Sequence, residues 1–177
     1  VSNVTDMRGM FSHANAFNQP IGNWDVSSVT DMFYMFTAST FNQDIGSWDV
    51  SSVTTMRGML ASTAFNQPIG NWDVSSVTDM TSMFSSATSF NQPIGNWNVS
   101  NVTDMSSMFF DANAFNQPIG DWNVSSVTDM NVMFQQNESF NQPIGDWDTS
   151  NVTDMAQMFY SAQSFNQDLS TWVVNNV

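Results

Sequence analysis

A short motif that returns at almost constant spacing constrains this chain more than any other feature. Successive copies lie 24 or 25 residues apart, and the triplet Phe-Asn-Gln begins at Phe17, Phe41, Phe65, Phe90, Phe115, Phe140 and Phe165. A period in this range is typical of solenoids, in which each repeat forms one coil and neighbouring coils bury the core between them. We therefore expect residues 1–177 to form a single array of about seven repeats, and we expect that array to be a fragment of a longer protein.

The first half of each repeat has the pattern of a short strand. In the repeat Phe65–Ser89, Trp72 and Val74 alternate with the polar residues Asn71 and Asp73. Alternation with a period of two places the apolar side chains on one face and the polar side chains on the other. We expect Trp72 and Val74 to point inward and the polar residues to point outward.

The second half of each repeat has the pattern of a short helix. Apolar side chains recur at the spacing of one helix face at Val77, Met80, Met83 and Phe84. Ser76, which lies three residues before Asp79, matches the capping box at which many helices begin. The sequence therefore predicts an α/β repeat solenoid with one short parallel strand and one short helix in each 24–25-residue repeat.

The apolar positions of the repeat also carry a resemblance to a known family. These positions are Ile69, Trp72, Val74, Val77, Met80, Phe84, Ala87 and Phe90. In this pattern the chain resembles the BspA-like leucine-rich-repeat surface proteins, and especially their Trp/Met-rich branch of bacterial and mycoplasma lipoprotein repeats of unknown function. The resemblance implies a right-handed leucine-rich-repeat-like coil, display at the cell surface or outside the cell, and a role in adhesion and protein binding. It carries no catalytic motif.

The charge of the chain excludes one large class of partner. Asp and Glu together number 16, whereas Lys and Arg number 2, which gives a formal net charge of −14. Binding to nucleic acid or to an anionic membrane surface is supplied mainly by Lys and Arg. We therefore expect no nucleic-acid partner. No apolar run has the length of a transmembrane segment, so we expect no direct membrane insertion either.

Several conspicuous residues recur once in every repeat and are expected to be structural. The Trp residues alternate with outward polar residues, so we expect them in the core, together with most of the 14 Met residues. The Asn that follows each repeated Phe is expected to form an internal ladder that hydrogen-bonds to turn backbone. That ladder comprises Asn18, Asn42, Asn66, Asn91, Asn116, Asn141 and Asn166.

The outward positions on either side of each Trp are the candidate ligand-binding residues. They alternate with the inward Trp and Val positions, so we expect them on the exposed strand face. They comprise Asn23, Asp25, Ser47, Asp49, Asn71, Asp73, Asn96, Asn98, Asp121, Asn123, Asp146 and Asp148. Oxygen ligands at this density also suit Ca²⁺, particularly around Asp121, Asp146 and Asp148. A solvated acidic face explains the same residues without any metal.

No residue pattern points to an enzyme, because His13 is the only imidazole and lies in a loop of one repeat. The preferred hypothesis is an extracellular or cell-surface repeat protein that mediates adhesion or binds a partner, either a protein or a glycan, through its exposed strand face. One alternative is a structural spacer or a self-stacking component of a lattice or fibre. The other is an adhesin stabilised by Ca²⁺.

Overall fold

Successive repeats lie side by side in one stack and are joined in a constant register. The computed structural model describes residues 1–177. Isolated parallel bridges connect one residue of each repeat to the equivalent residue of the next, along the series Asp6, Asp31, Thr55, Asp79, Asp104, Asp129 and Asp154. The chain contains no α-helix, and no strand extends beyond these single bridge residues. There is accordingly no helix that could span a membrane.

The helix predicted in each repeat is wrong, because this segment is a run of tight turns. The Met83 N–H donates to the Met80 carbonyl at 3.1 Å, which closes a turn of four residues. The neighbouring Ser82 N–H instead donates to the Ser106 carbonyl of the next repeat at 2.9 Å. Amides therefore alternate between a bond within the repeat and a bond to the next repeat. An α-helix would direct every amide to the carbonyl four residues earlier and would leave none to join the repeats.

Left-handed backbone conformations make this alternation possible. Ser82 has a φ of 56° and Ser86 has a φ of 54°, and every repeat has two such residues four positions apart. A positive φ at the third residue is what a type II turn requires. Gly occupies the first of these two positions only at Gly9 and Gly58, so most repeats adopt this conformation with a side chain in place.

The strand predicted around each Trp is also wrong, although the predicted inward and outward directions are correct. Trp72 and Val74 are buried, whereas Asn71 and Asp73 are exposed. The Trp72 N–H donates to the Ile69 carbonyl at 3.1 Å and so closes another turn. Side chains supply the link to the previous repeat, because the Trp72 Nε1–H donates to the Ile45 carbonyl at 3.1 Å. The α/β solenoid with a strand and a helix in each repeat is therefore replaced by a stack of turns.

Backbone bonds between repeats run in opposite directions on two parts of each repeat. In the turn segment the earlier repeat donates, as Ser82 does to Ser106. At the Thr row the later repeat donates, because the Thr78 N–H bonds the Thr54 carbonyl at 2.9 Å. The Thr78 hydroxyl donates to the same carbonyl at 3.3 Å. Each internal repeat therefore gives and receives bonds on both of its sides.

The interior is one continuous core of aligned apolar side chains, which contains most of the Met residues and the Trp residues of the five internal repeats, as predicted. Trp24 and Trp172, in the outermost repeats, are half-buried. Aromatic rings stack both within and between repeats. Phe84 and Phe90 have ring centroids 4.0 Å apart, and Phe90 lies 6.0 Å from Phe115 of the next repeat. Burial of about 25 cal/mol per Å² of apolar surface is the main driving force for stacking, and no repeat can bury its two faces alone.

Candidate functional site

All twelve candidate ligand-binding residues are exposed and flank the Trp column on both sides. The first row, which we call the Asn23 row, comprises Asn23, Ser47, Asn71, Asn96, Asp121 and Asp146. The second, which we call the Asp25 row, comprises Asp25, Asp49, Asp73, Asn98, Asn123 and Asp148. We call the two rows together the outer face. The repeat brings equivalent members of each row onto successive layers of the stack.

Residues of the Asp25 row already hold the local backbone. The Asp25 Oδ1 accepts the Ser27 N–H at 3.2 Å and the Ser27 hydroxyl at 2.6 Å. The same bond from the amide two residues later recurs in every repeat of this row. These serine hydroxyl and amide donors lower the pKa of Asp25, Asp73 and Asp148 below the ordinary carboxyl value, because they stabilise the ionised form. One oxygen of each side chain is therefore engaged in a hydrogen bond with local backbone.

Most side chains of the Asn23 row form no hydrogen bond of this kind. Five of the six side chains make no hydrogen bond within the protein. They are those of Asn23, Asn71, Asn96, Asp121 and Asp146. Only Ser47 differs, because its hydroxyl donates to the Gly22 carbonyl at 3.1 Å. The amide and carboxylate groups of this row are therefore free to bond a partner.

A shallow groove runs beside the Asn23 row, where a Gly of one repeat meets the Pro position of the next. We call this the Gly–Pro groove. It contains depressions of about 490, 290 and 390 Å³ along the stack. Asn71 lines the first, Asn96 lines the second, and Asp121 lines both the second and the third. The depressions are shallow and are lined by Gly, Pro and polar residues, which suits an extended partner better than a small apolar ligand.

The Asn ladder lies elsewhere and joins every repeat to its neighbour. The Asn66 Oδ1 accepts the Asn91 N–H at 3.0 Å and the Gln92 Nε2–H at 2.9 Å. The amide bond of this ladder recurs from Asn18 to Asn166. These side chains satisfy backbone donors that would otherwise lack a partner in the stack.

The carboxylates of the outer face do not assemble into a metal site. No group of three or more His, Cys, Asp or Glu side chains lies close enough to hold a metal ion. Asp121, Asp146 and Asp168 line one depression together, but they are spread over three successive repeats. The carboxylates therefore do not form a Ca²⁺ ligand group by themselves.

A second row of carboxylates was missed by sequence reasoning, which assigned Asp79 to the start of a helix. These residues are the bridge residues, and each Oδ1 accepts the amide two residues later, as Asp129 does from Asn131 at 2.8 Å. Burial raises the pKa of Asp129, and the neighbouring carboxylates of Asp104 and Asp154 add to this effect. The recurrence of Asp at this position was the available signal, and Thr55 is its one departure.

The repeat of this chain is shared with one known protein family. A family model described as "Mycoplasma protein of unknown function, DUF285" matches residues 1–96, 37–125 and 90–177, three overlapping stretches that together span the chain. No curated protein and no solved structure matches it. The family match supports the coarser part of the resemblance, a mycoplasma repeat family of unknown function, and not the finer assignment to BspA-like leucine-rich repeats.

Proposed function

We propose a partner-binding function for this chain, which belongs to the DUF285 family, described as Mycoplasma protein of unknown function. In this proposal the chain is an extracellular or cell-surface repeat protein that adheres to a protein or a glycan through its outer face. The location rests on the resemblance of the repeat to bacterial surface lipoproteins. The proposal assigns no reaction to the chain.

The observation that carries the proposal is the free hydrogen-bonding capacity of the Asn23 row. Five of its six side chains are exposed and make no bond within the protein, whereas the Asp25 row is engaged with local backbone. Amide groups donate and accept, so they can bond the hydroxyls of a glycan or the backbone of a peptide. Their recurrence in successive repeats lets several weak contacts add along one extended partner.

The test is the triple variant Asn23→Ala, Asn71→Ala and Asn96→Ala, which removes three of these amides and leaves the net charge unchanged. We expect binding to a printed glycan array or to immobilised extracellular-matrix proteins to fall by about tenfold or more, since each lost bond contributes about 0.5–1.5 kcal/mol. The free energy of unfolding should stay within about 0.5 kcal/mol of that of the unmodified chain, because these side chains make no internal bonds.

The matched control is the triple variant Asn15→Ala, Thr88→Ala and Ser89→Ala. These three side chains are also exposed and uncharged, but they lie on the segment that returns to the next repeat. We expect the control to bind as the unmodified chain does. Equal binding by the two triple variants would contradict the proposal, and so would a failure of the unmodified chain to bind any of these probes.

A structural spacer is the second candidate function. It is favoured by the identical bonds at every junction between repeats, which make the stack a stiff rod whose length follows the repeat number. Sedimentation velocity tests the self-stacking form of this candidate. A sedimentation coefficient that rises steadily with protein concentration supports lateral or end-to-end assembly, whereas a strict monomer at high concentration contradicts it.

A further inference from the structure

The Gly of the Gly–Pro groove has unpaired backbone groups in three successive internal repeats. Neither the N–H nor the C=O of Gly70, Gly95 and Gly120 forms a hydrogen bond within the protein. These residues line the depressions of about 490 and 290 Å³ beside Asn71 and Asn96. Each of the three repeats therefore presents one main-chain donor and one main-chain acceptor to the groove, next to a free side chain of the Asn23 row.

The second repeat satisfies the same backbone groups with its own side chains. Asp replaces the Pro in this repeat, and the Asp44 Oδ1 accepts the Gly46 N–H at 2.8 Å. The Ser47 hydroxyl donates to the Gly22 carbonyl of the previous repeat at 3.1 Å. Asp44 and Ser47 are exposed and line the groove. Both kinds of backbone group can therefore be reached from the groove.

The seventh repeat makes the same two bonds. The Asp168 Oδ1 accepts the Ser170 N–H at 2.9 Å, and the Thr171 hydroxyl donates to the Gly145 carbonyl. An Asp and a hydroxyl residue thus occur together in the second and seventh repeats, whereas the four repeats between them combine Pro with Asn or Asp. The repeats of Gly70, Gly95 and Gly120 form a continuous stretch without these internal bonds. We call this stretch the open tract.

The spacing of the repeats on this side of the stack matches an extended peptide. The Trp72 and Trp97 rings are nearly parallel and have centroids 6.4 Å apart, and those of Trp147 and Trp172 are 6.2 Å apart. An extended peptide presents the N–H and the C=O of every second residue on one edge, so these groups recur about every 6.4–6.8 Å. A β-linked saccharide chain advances by less than this distance for each sugar, so its hydroxyls lose register with successive repeats.

The charge of the groove favours a basic partner. No Lys or Arg lines its three depressions, whereas Asp44, Asp121, Asp146 and Asp168 do. The carboxylates of Asp121 and Asp146 form no internal hydrogen bond, so both are available for an ammonium or guanidinium group. The net charge of −14 adds a longer-range attraction for a cationic segment.

We propose that the open tract binds an extended basic peptide segment of a partner protein, which lies along the stack and pairs its main chain with Gly70, Gly95 and Gly120. This inference rests on the proposed function and names the class of partner. Main-chain pairing supplies the affinity, as it does where a peptide adds to the edge of a sheet. Lys or Arg side chains of the segment bind Asp121 and Asp146. At two residues for each repeat, three repeats require about six peptide residues.

The test uses the octapeptide acetyl-Thr-Lys-Thr-Lys-Thr-Lys-Thr-Lys-amide and the full chain labelled with ¹⁵N-glycine. The chain has 8 Gly residues, so the spectrum contains one amide signal for each of them. We expect the peptide to shift the signals of Gly70, Gly95 and Gly120 and to leave those of Gly9 and Gly58 unchanged. The same peptide with every backbone amide N-methylated keeps its charge and should cause no shift, because it has lost its main-chain donors.

Closing one repeat of the open tract should weaken binding. Pro93→Asn combined with Asn96→Ser gives the fourth repeat the internal bonds that the second repeat already has, without a change of charge. We expect the Kd for the octapeptide to rise by about tenfold, because two backbone groups of the tract acquire internal partners. The control, Thr88→Asn combined with Ser89→Thr, makes two neutral changes on the exposed return segment and should bind as the unmodified chain does.

Opening the second repeat should have the opposite effect. Asp44→Pro combined with Ser47→Asn removes both internal bonds there and lengthens the open tract by one repeat. We expect it to tighten binding of the octapeptide by about threefold or more, since one further repeat pairs with the peptide. Asp121→Asn combined with Asp146→Asn should reduce the preference for the octapeptide over the same peptide with Gln in place of Lys.

The inference is overturned if the octapeptide shifts none of the three Gly signals, if the N-methylated peptide binds equally well, or if the closed variant and its control bind equally. It is also overturned if cellohexaose shifts the three signals and the octapeptide does not, because the tract would then take a saccharide. If the variant Asn23→Ala, Asn71→Ala and Asn96→Ala loses binding to matrix proteins while the octapeptide causes no shift, this inference fails and the proposed function stands. A chain that binds none of the probes contradicts both.

Discussion

At Gly95 the backbone of one repeat passes so close to the next that there is no room for a side chain. A Cβ at this position would lie 2.6 Å from the Pro118 carbonyl oxygen. The same close approach recurs at the equivalent Gly of each repeat from Gly22 to Gly145. Gly here sets the separation of neighbouring repeats along the groove that carries the candidate residues.

We therefore expect Gly95→Ala to destabilise the stack by about 1–3 kcal/mol, the usual cost of overpacking. The obstacle is backbone, so it cannot rotate away as a flexible side chain could. Asn96→Ala, at the next residue, removes an exposed side chain without internal bonds and should change stability by less than about 0.5 kcal/mol. Urea unfolding followed by Trp fluorescence measures both, and equal midpoints for the two variants would contradict this account.

The Asn ladder requires an acceptor at each rung, and the amide nitrogen of Asn91 is not needed. The Asn91 Oδ1 accepts the Asn116 N–H and the Gln117 Nε2–H, at 3.0 and 2.9 Å. We expect Asn91→Ala to cost about 1 kcal/mol, because it leaves two half-buried donors without their acceptor. A single Asn91→Asp keeps the acceptor oxygen and should cost much less.

Replacing every Asn of the ladder by Asp should destabilise the protein much more than the single replacement, because like charges on adjacent layers repel. We expect such a protein to unfold at neutral pH and to recover structure as the carboxylates are protonated. Circular dichroism over a pH series measures this. Cooperative folding at neutral pH would show that repulsion does not explain why the ladder uses Asn.

The row of bridge carboxylates gives the turn segment a pH dependence of its own. Burial and the neighbouring carboxylates outweigh the Asn131 amide and raise the pKa of Asp129 above the ordinary value of 3.8. A raised pKa means that the folded state favours the protonated form. The contribution of Asp129 to stability is therefore complete below pH 3.8 and is lost as the pH rises through its higher value in the folded state.

We expect Asp129→Asn to stabilise the chain at neutral pH, by less than about 1 kcal/mol because the carboxylates are partly solvated. The gain should disappear as the pH falls below 3.8, where the wild-type carboxyl is protonated as well. Asp25→Asn is the matched control of opposite sign. The pKa of Asp25 is lowered by Ser27, so its contribution is present above pH 3.8 and is lost at lower pH. Denaturation midpoints from pH 3 to pH 7 test both.

At the scale of the structural element, the sequence predicts burial more accurately than it predicts the path of the backbone. Val77, Met80 and Met83 are buried as their spacing predicts. A spacing of three residues, however, is shared by helices and by successive turns closed by bonds to the third preceding residue. A helix and a run of turns differ in the partners of alternate amides. The Ser82 amide, for example, bonds the next repeat. That partner is distant in sequence, and in five of the seven repeats no Gly marks the positive φ.

The same reasoning explains what could be predicted of the candidate sites. Exposure of Asn71 and Asp73 followed from their alternation with Trp72, a local pattern. The different hydrogen bonding of Asn71 and Asp73 could not be predicted in that way, because it depends on the local turn that brings the Ser75 amide to the Asp73 carboxylate.

For the whole molecule, the repeat is the unit that can be removed without disturbing the rest. Deleting Asn66–Phe90 joins Phe65 directly to Asn91 and restores the sequence pattern across the junction. We expect this chain to fold cooperatively, with a denaturant m-value reduced by about one-seventh because less surface is buried. Deleting only residues 66–77 shifts every row of the following repeats and should abolish cooperative unfolding. Similar unfolding curves for the two deletions would contradict a stack with fixed register.

The Asn ladder has a consequence for inheritance as well as for stability. Each internal rung accepts from the next repeat and donates to the previous one in the same way. Unequal recombination that duplicates or removes one complete repeat therefore leaves every internal rung with a partner. Gene copies of different length encode rods of different length built on one plan. A change in the number of repeats therefore requires no new kind of junction between them.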